Sequence, residues 1–119
     1  HINIIGHPDD GRYSLDYEAI VQAAKETHTL LEINNNSLNP RGFRQNAREN
    51  DLTMLRLCKK YGVSVIMGSD AHYYEDILNH SRSLELIEEV DFPEKLVANS
   101  QKERLYPFIN KYLQNGWTL

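Results

Sequence analysis

Three short apolar runs alternate with two stretches of helical periodicity, and this alternation limits the fold more than any other feature of the sequence. The first run, Ile2 to Ile5, is stopped by Gly6-His7-Pro8 and reads as a buried strand followed by a loop. Ser14 is placed to cap the helix that follows. Asp16 and Glu18 sit in its positive first turn, and Tyr17, Ile20, Val21 and Ala24 recur at i, i+3, i+4 and i+7. The second run, Thr29 to Ile33, ends in the polar cluster Asn34-Asn35-Asn36-Ser37. Asn46 to Tyr61 then has helical length and spacing, with Leu52 and Leu55 beside the row Met54, Leu57, Cys58 and Tyr61. Lys59 and Lys60 suit its negative end, and Gly62 suits the left-handed position beyond it. The third run, Val63 to Met67, follows at once and leads into Gly68-Ser69-Asp70-Ala71-His72.

Strand, helix, strand, helix, strand with short connections predicts two successive βαβ crossovers, and so an α/β fold with parallel strands. Beyond them, Ser81 to Val90 is predicted to be a helix with Leu84, Leu86 and Ile87 inward, and Leu96 to Ala98 a short fourth strand. Ser100-Gln101-Lys102-Glu103 reads as a capping box opening a last helix, with Leu105, Phe108, Ile109 and Tyr112 on one face and a kink or restart at Pro107. No repeat or linker divides the chain, so residues 1–119 are expected to form a single domain.

With 13 Lys and Arg scattered among 17 Asp and Glu, the chain lacks the clustered positive charge that binding a phosphate backbone requires, which argues against a nucleic-acid partner. Cys58 is the only cysteine, so no intramolecular disulfide can form, and a reducing compartment is compatible. The longest aliphatic stretch is far below the roughly 18–20 residues of a membrane span. No charged segment followed by an apolar core opens the chain, so a cytoplasmic protein without a membrane partner is expected. The chain starts at His1 rather than Met, which suggests a piece of a longer polypeptide.

Ligand sites of parallel α/β folds lie at the carboxyl ends of the strands, where loops and helix N-termini gather. Here those ends carry His7, then Glu32 to Ser37, then Asp70 and His72. In extended backbone, Asp70 and His72 project to the same side. Imidazole and carboxylate suit zinc, manganese or iron better than calcium, and Cys58 on a helix face argues against thiolate ligation. Each residue also has a plainer reading. His7 can bond a loop carbonyl, Asp70 can cap the next helix, Glu32 can form a structural ion pair, and the asparagine run can be a turn. His28 and His80 fall outside the strand ends and read as surface or capping residues. Arg41, Arg44 and Arg48 read first as a solvated face, though a guanidinium near such an edge suits a phosphate.

The segments His1 to Asp9, Leu31-Glu32-Ile33-Asn34-Asn35 and Gly68-Ser69-Asp70-Ala71-His72 resemble, in order and spacing, the later motifs of the PHP (polymerase and histidinol phosphatase) superfamily, above all its stand-alone bacterial phosphatase branch. The likeness runs over nearly the whole chain, to Val90-Asp91-Phe92-Pro93. It implies the C-terminal half of a distorted (β/α)7 barrel, with a cluster of up to three metal ions at the strand ends. Carried over, His7, Asp70 and His72 are metal ligands contributing to different ions, zinc first, with manganese or iron as alternatives. Glu32 and Asn34 match a motif just behind the ligands. The activity implied is metal-dependent hydrolysis of a small phosphate ester, with Arg12, Arg41 and Arg44 as hypothetical phosphate contacts. The family's opening His-x-His motif, further histidines and bridging glutamate have no counterpart in this sequence. One protein ligand per ion is short of the roughly three a stable catalytic zinc site wants, so the chain alone is expected to bind metal weakly and catalyse poorly. Half a barrel also leaves strand edges open, which predicts self-association. The alternatives are an accessory or nuclease PHP module of a DNA polymerase, and an α/β binding domain without metal.

Overall fold

The computed structural model describes residues 3–9, 15–38, 46–69 and 80–109. Their elements are β1 (Ile4–Ile5), α1 (Tyr17–Thr27), β2 (Leu30–Asn34), α2 (Ala47–Tyr61), β3 (Val65–Gly68), α3 (Ser81–Glu89) and α4 (Lys102–Ile109), with short 3-10 turns at Asn36–Leu38, Glu94–Leu96 and Ala98–Ser100. The three strands form one parallel sheet in the order β1-β2-β3. The α/β fold with parallel βαβ units is therefore present.

Strand pairing sets which residues share a face. Leu31 pairs with Val65 and Ile33 with Met67, while Glu32 pairs with Ile66 and Asn34 with Gly68. Because side chains alternate along a strand, Leu31 and Ile33 go to one side and Leu30, Glu32 and Asn34 to the other. The first side is the core: Leu31, Ile33 and Val65 pack with Val21 and Ala24 of α1, with Leu52, Met54, Leu55 and Cys58 of α2, and with Leu86 and Ile87 of α3. Tyr61 ties the two crossover helices at their surface, donating to Glu18 Oε1 at 2.6 Å and accepting from Gln22 Nε2 at 3.3 Å. The polar pair Glu32 and Asn34 is left on the sheet face away from these helices.

Helix ends follow local chemistry. Asp16, whose side chain accepts the Ala19 N–H at 3.1 Å, caps α1. The cap expected at Ser14 lies outside the described residues, and the carboxylate next to Tyr17 does the work. Gly62 closes α2 at φ 71°, as its sequence position predicts, with the Val63 N–H reaching the Cys58 carbonyl at 2.9 Å. His28 and His80 occupy the C-cap of α1 and the N-cap of α3.

Three expectations are corrected. Leu84 is 46% exposed, not inward; α3 is a short amphipathic helix whose inner row is Ser83, Leu86 and Ile87. Leu96 to Ala98 is not a strand but the junction of two 3-10 turns, in which Val97 alone forms a parallel bridge with Val65. Asn99 completes that edge: its Oδ1 accepts the Met67 N–H at 3.1 Å and its Nδ2 donates to the Met67 carbonyl at 2.8 Å, so a side-chain amide stands in for a strand. Ser100 does not form the expected capping box. Its hydroxyl donates to the Val97 carbonyl at 2.7 Å and accepts from Arg104 at 2.7 Å. The last helix runs through Pro107 without a restart, and Leu105, Phe108 and Ile109 are half-buried; Tyr112 lies outside the described residues.

Candidate functional site

His7 ends the β1 segment with its backbone in the left-handed region, φ 51°. That conformation is uncommon for a residue with a β-carbon, though histidine adopts it more readily than most. Here it is held by β2 and the turn after it. The His7 N–H donates to Glu32 Oε1 at 3.1 Å, and Asn34 Nδ2 donates to the same oxygen at 3.1 Å. Asn34 Oδ1 accepts the Ser37 N–H at 2.9 Å, and the Ser37 hydroxyl lies 3.3 Å from His7 Nδ1. The circuit is closed: it leaves His7 through the backbone and returns through the ring.

The Glu32 carboxylate depends on glycines around it. A β-carbon built on Gly68 would stand 2.4 Å from Glu32 Oε2, and one on Gly6 3.7 Å from Oε1. Residue 68 is therefore glycine for as long as Glu32 holds this place. The loop after His7 is also pinned from the helices, since Tyr17 donates to the Pro8 carbonyl at 2.5 Å and Asn50 Nδ2 to the Asp9 carbonyl at 3.0 Å.

Two carboxylates near this site, Asp9 and Asp51, are both fully buried, with all four side-chain oxygens lacking a hydrogen-bond donor. Burial pushes the Asp51 carboxyl well above its ordinary value, and the neighbouring Asp9 and Glu32 charges push it the same way. Burial also raises Asp9, against the opposing influence of Asp51, His7 and Ser37. The charged form is thus disfavoured at both, and most strongly at Asp51. Cys58 is remote from this chemistry, its thiol pushed up to about 12 by burial and so inert at neutral pH.

Asn35 joins the site to α3. Its N–H donates to the Gly68 carbonyl at 2.7 Å, and its Oδ1 accepts the N–H groups of Arg82 at 2.8 Å and Ser83 at 3.1 Å. It thus caps α3 from another element, where His80 provides no side-chain cap. Asn35→Ala is expected to cost about 1 kcal/mol in urea unfolding, the usual worth of an N-cap; an unchanged midpoint and slope would mean that water replaces the cap at no cost.

Of the site residues expected from sequence, the structure brings His7, Glu32 and Asn34 together. Asp70, His72, Arg12, Arg41 and Arg44 lie outside the described residues. Among the described residues no group of three His, Cys, Asp or Glu side chains could hold a metal ion. The arrangement around His7 nonetheless suits a ligating imidazole, because such rings are oriented through their second nitrogen by a hydrogen-bonding neighbour. Asn35 and Ser37 fall in the strand-end run Glu32 to Ser37 but have no role of their own in the sequence reading, and the Asp9–Asp51 pair escaped it. The one signal available was Asp51, an acid among the buried positions Ala47, Met54, Leu55 and Cys58 of α2. Arg48 pairs with Glu89 on the surface and takes no part. A cavity of about 260 Å³ bordered by Ala24, His28, Gly62 and Phe108 sits where α1 and α2 finish, at the opposite ends of the strands. No helix among the described residues is long and apolar enough to cross a membrane.

Fold and site together define a parallel α/β unit with a constrained histidine at the carboxyl end of its sheet. Comparison with known proteins finds sequence relatives in bacteria that are named as probable phosphatases. It is 43% identical over 115 residues to a protein of Caldicellulosiruptor saccharolyticus named "Probable phosphatase", covering 97% of this chain and 47% of that protein. Proteins of the same name from Clostridium novyi and Shewanella amazonensis are 35% and 36% identical, each covering 92% of this chain and 44% and 43% of their own length. The chain thus spans just under half the length of the curated relatives it matches. No family model matches the chain.

Proposed function

We infer that this chain is the C-terminal half of a metal-dependent phosphoesterase of the PHP type, acting on a small phosphate ester. The observation that carries the reading is the closed circuit fixing His7 at the strand ends, in a sequence similar along nearly its whole length to proteins named "Probable phosphatase". The sequential strand order, with α1 and α2 packed on each other, is what a segment of a (β/α)7 barrel requires, and it supports that architecture.

In this reading His7, Asp70 and His72 would hold divalent cations, zinc first, while Glu32 and Asn34 keep the His7 backbone in its unusual conformation. Bound cations supply an activated water and neutralise charge on the phosphoester. Arg12, Arg41 and Arg44 bind the phosphate oxygens, for which the planar guanidinium is suited. The relatives' greater length provides room for the ligands that one histidine and two strand-end residues do not supply.

The test is hydrolysis of a generic phosphomonoester by the full-length protein, before and after dialysis against a chelator, with zinc or manganese added back. Activity lost to the chelator and restored by metal is expected. Hydrolysis indifferent to the chelator rejects the metal dependence, and none under any condition rejects the phosphatase reading.

A further inference from the structure

Asn35 is bonded on both sides of the stretch that carries Asp70 and His72. Its N–H donates to the Gly68 carbonyl at 2.7 Å, and Gly68 precedes Asp70 by two residues and His72 by four. Its Oδ1 accepts the N–H groups of Arg82 and Ser83, at 2.8 and 3.1 Å, in the first turn of α3. The Ser83 hydroxyl adds a bond to the Ile33 carbonyl at 3.3 Å, so this turn is fastened to the end of β2 through three donors. Asn35 is 3% exposed and Ser83 fully buried, which leaves water little access to compete for these bonds.

This fastening does more than cap a helix. A cap from the residue just before a helix satisfies N–H groups and ties down nothing else. Here the cap comes from the end of another element, and the same residue grips β3 through its backbone. Two residues of chain reach at most about 7 Å and four about 14 Å, so the place where Gly68 is held limits where Asp70 and His72 can stand. Asn34, the neighbour in sequence, bonds the Glu32 oxygen that accepts the His7 N–H. Adjacent asparagines thus serve the two sides of the proposed centre.

We propose that Asn35 is a positioning residue: by tying Gly68 to the first turn of α3 it fixes both ends of the stretch that carries Asp70 and His72, and so sets how those side chains meet a divalent cation beside His7. The proposal rests on the reading of His7, Asp70 and His72 as ligands and extends it to a residue outside that set.

The experiment is a zinc titration of the metal-free full-length protein against a competing chromophoric chelator, with melting temperatures recorded alongside. Asn35→Ala is expected to weaken zinc binding about 10-fold, the lower end of what losing a residue that orients a ligand costs. Asn35→Asp keeps an oxygen for both N–H groups and should restore affinity to near the wild-type value. Leu84→Gly, at an exposed position, weakens α3 through helix propensity alone and should leave zinc binding unchanged. Wild-type affinity in Asn35→Ala overturns the proposal, as does an equal loss in Asn35→Asp. An equal loss in Leu84→Gly also overturns it, since helix stability is then the cause. If Asn35→Ala does not fold, Asn35→Gln decides: its amide sits one methylene further out, and wild-type affinity there overturns the proposal as well. A wild-type protein that binds no zinc rejects the metal reading and this proposal with it, whereas zinc bound with indifference to residue 35 rejects the proposal alone.

Discussion

Replacing His7 by asparagine is expected to lower phosphomonoester turnover by the full-length protein at least about 10-fold and to reduce its bound metal, while leaving its melting temperature nearly unchanged. The floor comes from the 10–100-fold cost of losing a residue that only orients a ligand, since losing the ligand itself should cost no less. Asparagine is the informative choice because the backbone at this position is left-handed, φ 51°, a conformation asparagine tolerates well and alanine poorly. The substitution keeps the N–H that Glu32 accepts and removes the imidazole, so it separates chemistry from backbone geometry. Metal content and turnover both equal to wild type would remove His7 from the site. A large fall in melting temperature would instead make it a structural residue.

Asp51→Asn is expected to stabilise the protein, by about 1–3 kcal/mol at pH 7, an unusual direction for a substitution at a fully buried position. In the unfolded chain Asp51 is ionised at neutral pH; in the fold its carboxyl is held well above 3.8 by burial and by the charges of Asp9 and Glu32. Folding at pH 7 must therefore take up a proton or bury a surplus charge. A group raised in this way contributes stability that is complete below its unfolded value and is lost as pH rises toward its folded value. Asparagine removes that loss and supplies an N–H that the Asp9 carboxylate lacks. The gain should shrink as pH falls below the unfolded value of 3.8, where Asp51 is protonated in both states. Urea unfolding at about pH 7 and about pH 3 decides it. A variant less stable than wild type at pH 7, or a difference that does not change with pH, would show that burial does not hold the Asp51 carboxyl above its unfolded value.

Elements whose cause is local were legible in the sequence. Helix α2 follows from the recurrence of Leu52, Met54, Leu55 and Cys58, and its stop from Gly62. The parallel order follows from short connections around amphipathic helices, and His7, Glu32 and Asn34 from their place at strand ends. Features made by side chains reaching between distant segments were not legible. Leu96-Val97-Ala98 reads as a strand because it is apolar and short, but the edge it occupies is completed by the amide of Asn99, which leaves no periodic trace. Asn35 reads as a turn residue, yet its side chain serves a helix that begins at Ser81. Asp9 and Asp51 each look like an ordinary polar position, and only the meeting of the β1 loop with α2 turns them into a pair.

The Asn99 amide also bears on how copies of this chain could meet. Its two bonds to Met67 occupy backbone groups on the outer side of β3 that another strand would need, and Val97 already bridges Val65 beside it. One flank of the sheet is thus blunted against strand addition. Among the described residues, the flank without such a seal is that of β1, the opposite end of the strand order.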